Sequence, residues 1–381
     1  MHSGKLMDNI KEAEINHEEW MSCLPEKLWD VPLTNLSIPG SHDAMSYCLD
    51  ITSPLLPSES DTFRLLDGVF CCFTRPAIYR WATTQAGIYL KFVYYSDCLK
   101  CLIFHSRGTS ASPIALIVSV YWLCKFRHFY MRNVFVTPYQ SPLLCCKQVQ
   151  NIVEQLTAGI RYFDLRIAHK QYDSSNELYF THVIYTHATV IKTLQTVASW
   201  LESHPKEIII LACSHFEGLD HKLHEEFIYS LKKIFGSKLC PRNEVLLTLR
   251  SLWTSGYQVV LSYKDQSAAR HVELWPAIPY LWANKPNAEE LLQYLEWQKQ
   301  LGRPEGFFVA GLNLTTDRCF IATHPLESIQ TLTMKNWNCV RKWLEDQKPG
   351  AEPTSLNIIA GDFIGPVPLC SIVIALNKKL L

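Results

Sequence analysis

The sequence predicts an α/β protein whose parallel strands, joined by helical crossovers, close into a barrel. Two observations carry this. Strand-like and helix-like segments alternate along most of the chain, and His, Asp or Arg recurs at the expected strand ends. The length of 381 residues fits one such barrel or two ordinary domains.

The first strand is expected within residues 33–45 (LTNLSIPGSHDAM), where Leu33, Leu36 and Ile38 are apolar and Pro39–Gly40 break the run, placing His42 and Asp43 just past its end. Residues 1–19 read as a flexible arm, and 20–29 (WMSCLPEKLW) are apolar enough to pack across the closed end of a barrel. Residues 53–73 mix loop residues with a short amphipathic segment. From 87 to 147 the chain is rich in Tyr, Phe, Cys and Ile without sustained periodicity. This irregular insertion leaves a buried helix, an interfacial hairpin and disorder open, and a splice or gene-model origin would join 84–86 to 148–151 in one helix. Its most apolar run, 113–124, is 12 residues long, short of the roughly 20 a membrane span needs.

Residues 148–158 (QVQNIVEQLTA) predict a helix stopped by Gly159. The next strand, 160–167 (IRYFDLRI), carries Asp164 and Arg166 two apart and hence on one face, a costly placement in an apolar strand unless the pair has a task. Strands follow over 178–183 (LYFTHV, ending near His182), 207–213 (EIIILAC, before His215), 258–263 (QVVLSY), 306–312 and 356–363 (LNIIAGDF, ending at Asp362). Helices are expected over 189–204, 219–235, 287–301 and 333–347. In such a barrel, reactive groups come from the C-terminal ends of different strands, which is where these side chains fall.

Composition excludes several classes. Lys plus Arg balance Asp plus Glu at 36 each, which disfavours a nucleic-acid partner. The N-terminal residues lack the apolar stretch of a secretory signal. The 14 cysteines, scattered through apolar segments, read as free thiols of a reducing cytoplasm, and the single CxxC at Cys98 and Cys101 has no second pair at zinc spacing.

Two imidazoles near neutral pKa suit a base and an acid, arginine matches phosphate oxygens, and carboxylates behind histidines fix their tautomers. The set suits phosphodiester cleavage. The runs SIPGSHD, GIRYFDLRIAH, FTHV, EIIILACSHFEG, VVLSY, LWP and NIIAGDFIG resemble the phosphatidylinositol-specific phospholipase C X-domain proteins, over residues 20–381 apart from the block at 87–147. The resemblance implies a distorted TIM barrel that cleaves an inositol phospholipid, through a cyclic inositol phosphate, with release of diacylglycerol. It implies that His42 is the general base toward the inositol 2-hydroxyl, with Asp362 as its carboxylate partner. It makes His182 the general acid with Asp43 behind it, and Arg166 the phosphate clamp supported by Asp164. His215, Tyr263 and Lys264 are candidates for holding the substrate.

Calcium independence is expected as well, because the calcium-using relatives carry an Asn after the first histidine and carboxylates where Arg166 and Cys213 stand here. No metal or other cofactor is predicted. The chain departs from the bacterial pattern at Val183, where Gly is usual, and His187 competes with His182 as the acid, although the phase of LYFTHV favours His182. The expected protein is a cytoplasmic monomer that touches the membrane transiently through the barrel rim. The alternatives are a phosphoinositide-binding or scaffold protein on the same barrel and a glycerophosphodiester hydrolase, the latter disfavoured by the lack of a Glu-rich metal site.

Overall fold

The computed structural model describes residues 16–83, 151–244, 246–324 and 327–381. The insertion expected over 87–147 and most of the arm expected over 1–19 lie outside these. Among the described residues, β1 (Ile38–Ser41) is followed by α1 (Asp61–Ala82), α2 (Ile152–Thr157), β2 (Tyr162–His169), β3 (Leu178–His182) and β4 (Ile184–Thr189). Then come α3 (Val190–Ser203), β5 (Ile209–Glu217), α4 (His221–Phe235), α5 (Leu249–Ser255), β6 (Val259–Tyr263), β7 (Leu274–Trp275) and β8 (Tyr280–Leu281). The chain ends with α6 (Ala288–Gln300), β9 (Val309–Gly311), α7 (Arg318–Thr323), α8 (Ile329–Asp346), β10 (Ile358–Gly361) and α9 (Leu369–Leu376).

Eight of these strands run parallel, in the order β7-β6-β5-β2-β1-β10-β9-β8. The curled sheet is a distorted TIM barrel. No ladder joins β7 to β8 among the described residues. Pro276 and Pro279 punctuate the short stretch between them, and proline cannot donate to a ladder. The strand interiors (IIL in β5, VVL in β6, II in β10) are fully buried, as strands covered by helices on one side and barrel core on the other must be.

Several expectations need correction. The stretch 178–183 is not a barrel strand: β3 pairs antiparallel with β2 and then with β4, so the two form a hairpin off the ring. The apolar content of a short run does not encode strand direction. Leu33 lies in a 3-10 turn, and the first strand begins only at Ile38. β2 and β5 run further than expected, so His215 lies within a strand rather than past its end, and a register shift falls between Leu165 and Arg166. The helix expected over 148–158 is described only from Ile152, because Asn151 adopts an extended conformation and caps it with Glu154 in a capping box.

The closed end is held by a buried ion pair. Arg161 and Glu207 are almost wholly inaccessible, Arg161 Nε donates to Glu207 at 2.8 Å, and Glu207 also accepts from the backbone of Met21 and Ser22. Trp20 is buried with its indole N–H on Gly159 O at 3.0 Å, so residues 20–29 cover this end as the composition suggests. Glu18 joins them, its carbonyl accepting from Arg161 at 2.6 Å.

Candidate active site

β1 and β10 are paired in register, Ser41 opposite Gly361, so the residues that follow them emerge side by side. His42 N donates to Gly361 O at 3.1 Å, and Asp362 Oδ1 stands 2.9 Å from His42 Nδ1. Arg166 Nη2 lies 3.0 Å from the other ring nitrogen, Nε2. A guanidinium can only donate, so Nε2 must offer its lone pair and the proton sits on Nδ1, directed at Asp362.

Asp43 follows in the left-handed region at φ 43, a conformation its short polar side chain tolerates better than most. From that turn its carboxylate enters the centre of the cluster. Asp43 Oδ1 is 2.5 Å from Arg166 Nε, and Oδ2 is 3.4 Å from His182 Nδ1 and 3.6 Å from His42 Nε2. Asp164 lies 3.6 Å from Arg166 Nη2, accepts the Asp43 backbone N–H at 3.3 Å, and takes a hydrogen bond from the Ser214 hydroxyl. Asp43, Asp164 and Asp362 are buried, while the Arg166 side chain keeps 30% of its surface, enough to meet a ligand.

His182 ends β3 and enters from the hairpin. Its Nδ1 is 2.6 Å from the carbonyl of Ala82, the last residue of α1. Val183, the single residue between β3 and β4, has φ 68, an unusual conformation for a β-branched side chain and the kind of position Gly fills without cost. His187 is exposed, with its Nδ1 3.8 Å from Asp50.

Electrostatics separate the two imidazoles. Burial works against charge on His42, but Asp43 and Asp362 outweigh it and hold its pKa above the ordinary value. On His182 burial prevails, with Asp43 opposing it and Arg166 adding to it, and the pKa falls below the ordinary value. Asp43 resists burial through Arg166 and both histidines and titrates low, whereas burial pushes Asp362 up.

The structure therefore brings His42, Asp43, Asp164, Arg166, His182 and Asp362 together. His215 sits opposite Arg166 on β5, exposed at the rim of the same cluster. Tyr263 is not brought there: it pairs with Cys213, is buried among Phe216 and Phe227, and shares its hydroxyl with His224 Nδ1 at 2.7 Å on the helix side of the sheet. Lys264 projects into solvent past the end of β6.

Sequence reasoning missed Tyr280. Its ring centroid is 6.0 Å from that of His42, and its hydroxyl donates to Asn313 at 2.8 Å. Gly311 makes room, since a Cβ there would collide with the Tyr280 ring.

Donor atoms of His42, Asp43 and Asp164 lie within 4.8 Å of one another, a spacing a dication could bridge. The Arg166 guanidinium is bonded to or beside all three, so a positive charge is already supplied at that position.

The family model described as PI-PLC X 1 matches residues 135–273. The chain is 42% identical over 366 residues to PI-PLC X domain-containing protein 1 of Homo sapiens, covering 96% of this chain and 94% of the relative. To the Danio rerio protein of the same name it is 38% identical over 354 residues, 93% and 94% of the two chains. Among solved structures, a phosphatidylinositol-specific phospholipase C from Listeria monocytogenes superposes with TM-score 0.54 at 17% identity over 96% of this chain and all of that one. One from Staphylococcus aureus, described for the modulation of its membrane binding, gives 0.52 at 14% over 94% and 97%. These two show a common barrel fold.

Proposed function

The chain belongs to the PI-PLC X domain-containing protein family, and from that premise we propose that it is a metal-independent phosphoric diester hydrolase acting on an inositol phospholipid. The observation that carries the reading is the meeting of two imidazoles and one guanidinium on a single carboxylate: Asp43 lies 2.5 Å from Arg166 and 3.4 Å from His182, and Arg166 lies 3.0 Å from His42. A phosphate group placed beside Arg166 would have an imidazole on either side.

In this reading the phosphate draws the Arg166 N–H off His42 Nε2, which then removes the proton of the inositol 2-hydroxyl, whose oxygen attacks phosphorus. Asp362 stabilises the imidazolium that forms. The bond from phosphorus to the diacylglycerol oxygen breaks, that oxygen takes a proton from His182, and the product is a cyclic inositol phosphate. Water can then open the ring with the two histidines in exchanged roles. Arg166 binds the phosphoryl oxygens with the N–H groups that Asp43 and Asp164 do not take, among them the one that rests on His42 Nε2. His215 and Lys264, at the rim, are the candidate contacts to the headgroup.

The same reading makes the protein a cytoplasmic monomer that meets the bilayer peripherally; the description of the Staphylococcus aureus neighbour speaks of membrane binding by that protein. Among the described residues no helix is long and apolar enough to cross a membrane. Leu65, Leu66 and Val69 expose an apolar surface on α1.

A second reading, a phosphoinositide-binding protein with little turnover, draws support from the pKa order, in which the proposed base holds its proton more firmly than the proposed acid. Phosphatidylinositol cleavage by the wild type, His42→Ala and His182→Ala decides between them. The hydrolase reading expects each substitution to lower kcat by roughly 10²- to 10⁴-fold. Equal, residual turnover in all three with vesicle binding intact would leave the binding reading.

A further inference from the structure

The carboxylate that the resemblance implies behind His182 is not the nearest acceptor of its ring. A carboxylate is expected behind His182, yet Asp43 Oδ2 is 3.4 Å from Nδ1 while the Ala82 carbonyl is 2.6 Å away. One ring nitrogen carries one proton, and the nearer acceptor takes it. Asp43 Oδ1 lies 2.5 Å from Arg166 Nε, and Oδ2, the oxygen that faces His182, forms no hydrogen bond among the described residues.

Ala82 is well suited to this task. It is the last residue of α1, and the carbonyls of a final helical turn lack intrahelical partners and carry the negative end of the helix dipole. An imidazole N–H satisfies such a carbonyl, and the dipole favours the protonated ring. The placement is also built: Leu49, Ile78, Ala82 and Ile184 form a small buried cluster of their own, with Leu55, Phe63 and Val183 packed against it. Ile184 lies two residues beyond His182, so this cluster clamps the end of α1 to the hairpin that carries the imidazole.

We propose that the main-chain carbonyl of Ala82 is the group that orients His182, and that Asp43 positions Arg166 instead. This deepens the hydrolase reading and rests on it for its kinetic consequences. α1 becomes a positioning element of the site, and its packing against the hairpin governs the acid step. Asp43 becomes the residue that aims the phosphate clamp.

Two measurements test this, and the first needs no turnover. Nitrogen-15 NMR of the histidine rings, with His182 assigned by its loss in His182→Ala, should show neutral His182 protonated at Nδ1, in the wild type and equally in Asp43→Asn. An Nε2–H tautomer in the wild type, or a change of tautomer in Asp43→Asn, overturns the proposal. The second compares phosphatidylinositol with an analogue whose leaving oxygen is replaced by sulfur, which departs without a proton. His182→Ala should lose roughly 10²- to 10⁴-fold on the oxygen ester and recover most of that loss on the thio analogue. Ile78→Ala, which loosens the end of α1, should show a smaller loss with the same recovery. Asp43→Asn should stay impaired on both substrates, as Arg166→Lys should. Recovery of Asp43→Asn to the extent of His182→Ala overturns the proposal. A wild type that cleaves neither substrate defeats the hydrolase reading alone, since the tautomer of His182 still decides this one.

Discussion

Asp362 Oδ1 lies 2.9 Å from Nδ1 of His42, across a ring whose other nitrogen faces Arg166. The carboxylate fixes the tautomer, so the lone pair of Nε2 points into the cleft. In Asp362→Asn the amide can present an N–H to Nδ1 instead, and the ring then holds its proton on the wrong nitrogen. The expected outcome is a kcat reduced by up to about 10⁴-fold, as when a catalytic histidine loses its orienting aspartate elsewhere, with substrate affinity little changed. Steady-state kinetics on phosphatidylinositol vesicles check this, and a loss carried by KM would contradict it.

The pH profile should reveal the order of the two imidazoles. His42 is raised above its ordinary value, despite burial, by Asp43 and Asp362; His182 is lowered by burial and Arg166, against Asp43 and the Ala82 carbonyl. Turnover needs His42 neutral and His182 protonated, the minority arrangement of the singly protonated pair. kcat/KM should therefore be bell-shaped, with the alkaline limb set by His42 and the acid limb by His182. Removing the negative charge at Asp362 lowers the His42 pKa, so in Asp362→Asn the alkaline limb should move to lower pH. With the ordinary order of base below acid, the acid limb would move instead.

Much of this was legible because the chemistry lay in local runs. SHD after an apolar strand, DLR inside one and GDF at the end of another gave His42, Asp164, Arg166 and Asp362, and parallel barrel geometry brought them together. What escaped depended on relations a single strand does not encode. Tyr263 sits in a fully buried strand, where alternation cannot tell the barrel side from the helix side, and it faces the helices. The direction of β3 depends on pairing with β2. The Ala82 carbonyl lies 100 residues from His182 and is a main-chain group of a residue whose side chain has no chemistry to notice. Tyr280 belongs to a two-residue strand between prolines, too short to show any period.

The closed end should be where stability is concentrated. Glu207→Ala would leave the Arg161 guanidinium buried without its carboxylate and take acceptors from Met21 and Ser22. Breaking a buried pair in this way typically costs about 3–5 kcal/mol. Chemical denaturation should show that loss, while activity per folded molecule persists because the pair is remote from the mouth of the barrel. A cost under about 1 kcal/mol, the scale of a surface pair, would mean the interaction is not structural.

The exposed face of α1 should matter only at an interface. Leu65, Leu66 and Val69 retain 68%, 45% and 52% of their surface, far more than the core needs to leave open. A Leu65→Glu, Val69→Glu double substitution should weaken binding to phosphatidylinositol vesicles and lower turnover on them, while hydrolysis of a short-chain, monomeric phosphatidylinositol is unchanged. Equal losses on both substrates would assign the face to folding or to the site itself.

Calcium should be dispensable because Arg166 supplies the cationic charge. Its Nε is 2.5 Å from Asp43, and its Nη2 is 3.0 Å from His42 and 3.6 Å from Asp164, the three side chains whose donor atoms a dication would otherwise share. A hard dication entering there would face a permanent positive charge and lose at least one carboxylate to it. Activity of the purified protein should thus be unaffected by chelator, and titration calorimetry should detect no calcium binding to the wild type. In Arg166→Ala the same carboxylates are left without their cation, so turnover should collapse while weak calcium binding appears. Full activity of the wild type only with added calcium would overturn the metal-independent mechanism, since it would require the guanidinium to leave the carboxylates that hold it.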